Sequence, residues 1–168
     1  MPTLSATLKA ALTAVYQGSP DVGTLKQEVT YSAAASLSNG TGANQANAQW
    51  LDTRTLSASA TENLDLAGVL TDAFGNVLTF TKIKAVLVEA DDANVNDVVL
   101  GGAASNAWAA PFGDVSDTLK VKPGGFIMLV APDANGLAVT AGTGDILKVA
   151  NGGSGTSVTY TIALVGVV

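Results

Sequence analysis

The chain has 168 residues and contains neither histidine nor cysteine. Without imidazole it has no side chain that ordinarily titrates near neutrality to act as a base, and without thiol it has no thiolate nucleophile, no disulfide and neither of the commonest zinc ligands. A formal charge of −6, from 14 acidic and 8 basic residues with Arg54 as the single arginine, disfavours nucleic acid as a partner.

This length fits one domain. Hydrophobic residues make up 48% of the chain but aromatic residues only 5%, so the core must be built from Val, Leu, Ile and Ala. A chain so poor in large side chains gains stability by burying further surface against copies of itself or a partner. The lysines are dispersed. Lys82 with Lys84 and Lys120 with Lys122 form i,i+2 pairs, which predict the wet face of a strand rather than a phosphate-binding stripe. No segment approaches the roughly 20 apolar residues of a membrane helix, so no membrane partner is expected. No positive charge precedes the first apolar residues, and Lys9 and Gln17 interrupt them, which argues against a secretory signal and for synthesis in the host cytoplasm.

In chain order, Leu4, Leu8, Ala11, Leu12 and Val15 have helical spacing, so residues 1–24 are expected to form an N-terminal arm or short helix that orders only against a body or a neighbour. Residues 25–168 are expected to form a single β-sandwich domain. Val29, Tyr31, Ala33, Ala35 and Leu37 alternate with polar residues, predicting a half-buried strand, and residues 38–47 read as a surface loop. From Trp50 onward, short apolar runs are separated by turn signals. Strands are expected over 50–57, 62–66, 77–89, 97–100, 118–122, 126–131, 137–140, 146–150 and 158–165. The long run from Val77 to Glu89 is expected to be wet at its Lys82–Lys84 end and buried at Val86–Val88. Turns at 122–125, 132–136 and 151–155 carry the Pro, Asn and Gly residues that tight connections require. With no crossover helix after residue 20, the fold class is all-β: an antiparallel β-sandwich or jelly roll.

Few residues suggest chemistry. Asp92, Asn94 and Asn96 have the one-three-five spacing of a calcium loop, but Asp97 stands where that loop needs glycine and Ala103 where it needs a bidentate glutamate, so a solvated turn is expected. The glycines of 142–145 and 151–155 lack the lysine and following helix of a phosphate loop. Asp52 and Arg54 share a strand face and should form a local ion pair. Trp50 and Trp108 are expected to be core or interface anchors, with a glycan-stacking role as the alternative. No catalytic, cofactor-binding or metal residue is assigned, and no enzyme activity is expected.

The runs Asn39–Ala46, Asp52–Gly68, Pro123–Gly125 and Val139–Asn151 resemble those of small structural proteins of tailed bacteriophages and prophages, over roughly residues 39–166. The resemblance implies a jelly-roll capsid decoration, or cement, protein on the exterior of the virion. Its partners would be the major capsid protein, engaged by a flat apolar face or the N-terminal arm, and further copies of itself in a dimer or trimer. A tail or baseplate protein binding host glycan is the alternative.

Overall fold

Residues 48–56 and 158–167 carry side chains that alternate between core and surface, the period of a strand, and 158–167 pairs on one side with 48–56 and on the other with the more continuously buried 82–90 at the centre of the protein. The computed structural model describes residues 3–168, and among them it contains twelve strands and no helix. They are β1 (Ala6–Gly18), β2 (Leu25–Asn39), β3 (Gln45–Ala46), β4 (Ala48–Leu56), β5 (Thr61–Asp65), β6 (Lys82–Ala90), β7 (Val98–Gly101), β8 (Thr118–Val121), β9 (Phe126–Val130), β10 (Leu137–Ala138), β11 (Ile146–Asn151) and β12 (Val158–Val167).

A five-stranded antiparallel sheet has the order β10-β6-β12-β4, with β9 sharing the β10 edge of β6. A four-stranded antiparallel sheet has the order β5-β11-β7-β8. Val86, Val88, Ile162 and Leu164 from the first sheet meet Leu64, Leu100, Leu147 and Val149 from the second in one buried cluster, so the two sheets form a β-sandwich around a mainly aliphatic core. Burying each such side chain contributes roughly 1.5–3 kcal/mol. Register slips once, between Val165 and Gly166. There a Cβ would stand 2.5 Å from the Lys82 carbonyl oxygen and 2.9 Å from the Phe80 ring, so only glycine fits beneath that ring.

The third sheet lies outside the sandwich. β1 and β2 pair antiparallel from Ala6↔Leu37 to Gly18↔Leu25, and the short β3 adds in parallel at the base. Of the two alternatives for the N-terminal segment, arm or short helix, the helix over 4–16 is replaced by a strand. Leu8, Ala10, Leu12, Ala14 and Tyr16 alternate with Lys9, Thr13 and Gln17, interrupted at Ala11 and Val15, and β2 supplies a cross-strand partner at every position, which decides for the strand. β2, expected as the half-buried first strand of the sandwich, is instead exposed over most of its length, and a boundary between residues 24 and 25 falls in the hairpin connection.

Two further expectations change. The strand expected from Val77 starts at Lys82, because Leu78 and Phe80 donate backbone N–H to the Leu70 and Leu66 carbonyls and drop their side chains into the core. Lys84 does not lie on a wet face. It is fully buried, and its ammonium donates to the Asp133 carbonyl in the 132–136 turn. Lys120 and Lys122 are exposed, as their spacing predicts.

Candidate functional site

Cross-strand pairing sorts the hairpin side chains onto two faces. On one, Ala6, Leu8, Ala10, Leu12, Ala14 and Tyr16 stand opposite Leu37, Ala35, Ala33, Tyr31, Val29 and Gln27. On the other, Thr7, Lys9, Ala11, Thr13, Val15 and Gln17 stand opposite Ser36, Ala34, Ser32, Thr30, Glu28 and Lys26, a mostly polar face that Val15 interrupts. The ribbon is amphipathic, with apolar pairs running almost unbroken along one face. Thirteen register pairs give it a length of about 44 Å at roughly 3.4 Å per residue.

At the base the apolar face meets the body, with Leu37 buried and Leu8 half-buried. Further out it meets solvent: Leu12 is 57% exposed, Tyr31 66% and Tyr16 81%. An isolated two-stranded hairpin is marginal in water, and a contiguous apolar stripe of this length is the mark of an interaction surface.

The outer face of the five-stranded sheet is apolar in part, while its next row carries Thr53, Thr161 and Glu89. Register aligns Leu51, Ala163, Leu87 and Met128 in a row across β4, β12, β6 and β9. Between this row and Thr7, Leu8 and Lys9 at the hairpin base lies a crevice of about 240 Å³. The hairpin stripe and the sheet face are thus two walls of one cleft.

The expected Asp52–Arg54 ion pair is present at 2.8 Å, but it belongs to a larger cluster. Arg54 Nε also donates to Glu62 Oε2 at 2.6 Å, and the Tyr160 hydroxyl donates to Glu62 Oε1 at 2.6 Å. Arg54 and Tyr160 are cross-strand neighbours in one sheet, whereas Glu62 comes from β5 in the other, so the cluster staples the sandwich together. Burial first, then the bond to Glu62, holds the Tyr160 phenol well above its ordinary pKa. Burial works against the charge of Arg54, but its hydrogen bonds to Glu62 and Asp52 outweigh it and raise the guanidinium. Each carboxylate is committed to the guanidinium between them.

Of the calcium-loop candidates, Asp92 is exposed, and Asn94 and Asn96 are engaged in hydrogen bonds. In the acidic turn, Asn94 accepts from Thr159 N–H and donates to Thr159 C=O, both at 2.8 Å, and so completes the ladder beyond β6. Asn96 donates to Asn151 Oδ1 and the Thr156 carbonyl, and Asp97 pairs with Lys122 at 2.9 Å. These side chains tie loops rather than converge on a point. Among the described residues no three Asp or Glu gather as metal ligands. Trp108 is 2% exposed, and its indole N–H donates to the Ala138 carbonyl at 2.8 Å. Trp50 is buried in the same core, so neither indole offers a stacking face to a sugar. Burial, then the charge of Lys82, lowers the pKa of Lys84.

Comparison of the chain with protein families, with curated proteins and with solved structures finds no match. Sequence reasoning missed the stripe because it assigned β1 and β2 to separate units. The signal was present in the period-two run from Ala6 to Tyr16, which continues in phase across Val29, Tyr31 and Leu37.

Proposed function

We propose that the chain is a non-catalytic structural protein of a tailed-phage virion, a capsid decoration protein that acts by multivalent contact. The observation that carries this reading is the hairpin: a ribbon whose apolar face is exposed to solvent over its distal half, about 24 Å, belongs to a protein whose working state is an assembly. The resemblance of residues 39–166 to phage structural proteins supplies the particle. In this reading the sandwich is of the jelly-roll kind, the hairpin is the N-terminal arm, and the major capsid protein is the partner. Repetition over a capsid lattice multiplies weak contacts into tight attachment. The net charge of −6 suits an outer surface and not the packaged DNA.

The test is cosedimentation of the purified protein with undecorated capsids assembled from the corresponding major capsid protein, followed by heating of the recovered particles. Saturable binding that raises the temperature of particle disruption is expected. Capsids that bind no protein, or bind it with no gain in heat resistance, contradict the reading.

A further inference from the structure

We infer that the apolar stripe of the β1–β2 hairpin is covered by a second copy of this chain, the distal half of the ribbon lying across the outer face of that copy's five-stranded sheet. Dimension is the first reason. From Leu12 to Gly18 on β1, with Leu25 to Tyr31 opposite, the exposed stripe runs for seven register pairs. That is about 24 Å at roughly 3.4 Å per residue, against about 19 Å for four strands spaced roughly 4.8 Å apart in the β9-β6-β12-β4 face.

Area is the second reason. Leu12, Tyr16, Leu25, Val29 and Tyr31 are all exposed on this stripe. Together they present on the order of 700 Å², close to the roughly 800 Å² each partner contributes to a standard interface. Because every copy carries both a stripe and a sheet face, each copy can give one such contact and receive one, which closes a symmetric dimer when the exchange is reciprocal and builds a ring or an open chain when it is not.

Charge and continuity complete the argument. Within residues 3–39 the charges are Lys9, Lys26, Asp21 and Glu28, which cancel, so the whole −6 of the chain resides in the rest of it. The hairpin can therefore approach another acidic copy without net like-charge repulsion. Its seat is apolar where the stripe would lie: Leu51 is 69% exposed at the β4 end, and Leu87, Ala163 and Met128 continue the row. The crevice between this row and the hairpin base leaves room for one or two incoming side chains. Self-association through these faces stands apart from capsid binding, and the two are measured separately.

Sedimentation equilibrium of the full-length protein tests this. Wild type should sediment as a multiple of 16.7 kDa. The L12K/Y31K pair, on the stripe, and L51K, on the seat, should each weaken association by about 100-fold or more, the loss expected for a charge forced into an apolar contact. T13K/T30K, on the opposite face of the same ribbon, should stay within about 3-fold of wild type, and unchanged tryptophan emission will show that all the bodies are folded. Since the chain has no cysteine, mixing A14C protein with L51C protein and oxidising should yield an A14C–L51C cross-linked peptide, which can form only between copies. A monomeric wild type, an oligomer that survives L12K/Y31K, or an oligomer that survives L51K and gives no linked peptide overturns the inference. So does a monomer that binds capsids through the stripe, which would assign the stripe to the capsid protein.

Discussion

Replacing Tyr160 by Phe keeps the buried ring and deletes only the hydroxyl that donates to Glu62 Oε1 at 2.6 Å. A hydrogen bond to a charged group contributes about 1.5–3 kcal/mol, and its loss leaves one Glu62 oxygen short of a partner in a half-buried site, so Y160F should cost that much at pH 7. The same bond gives the substitution a pH signature. The folded protein holds the phenol above its ordinary pKa of about 10, whereas the unfolded chain ionises it near that value. The stability contributed by Tyr160 is therefore fully present below about pH 10 and falls as pH rises above it, at about 1.4 kcal/mol per unit. Phenylalanine cannot ionise, so the gap between wild type and Y160F should narrow by about 1.4 kcal/mol between pH 9 and pH 11. Lys84, whose pKa burial lowers, titrates in both proteins and cancels in the difference. Urea denaturation followed by emission from the buried Trp50 and Trp108 reads the gap directly. A gap that stays constant with pH, or a penalty below about 0.5 kcal/mol at pH 7, would refute the role assigned to the staple.

Other outcomes follow from the same structure. G166A should lower stability by about 1–3 kcal/mol, the usual range for overpacking, because its Cβ would meet the Lys82 carbonyl and the Phe80 ring; thermal denaturation measures it. Asn151 is buried and donates to the Leu56, Ser57 and Thr156 carbonyls, so N151L should cost about 1–3 kcal/mol in denaturant titration and loosen the 151–156 turn. Asp72, Asp114 and Asp133 each have pKa values lowered by hydrogen bonds, from Asn76, Ser116 and the Asn135 amide respectively. They contribute stability that is present above their ordinary range and lost as pH falls through their folded values, so the midpoint of urea unfolding should drop below about pH 4 and drop less in D72N.

The sandwich was legible because its strands carry both period-two patterning and turn residues that punctuate it. Residues 118–121, 126–130 and 146–151 lie within a residue of their expected bounds. The hairpin was less so. Alanine, common in β1, is compatible with helix and strand, so Leu4, Leu8 and Val15 supplied a helical spacing that the pairing with β2 overrode. Lys84 was misplaced because alternation assigns faces but carries no information about the 132–136 turn that closes over its ammonium. The Asp52–Arg54 pair was local and readable. Glu62 and Tyr160 join it from strands distant in sequence, and only the sheet register brings them together.

Amide hydrogen exchange across residues 8–16 and 27–35 tests the central claim, that the hairpin stripe is an interface, most directly. Measured in the intact protein at rising concentration and then with saturating capsids, exchange there should slow by about 10-fold or more as the assembly forms, while the sandwich strands stay protected throughout. Exchange in the hairpin that remains fast at every concentration and on the capsid would contradict the account.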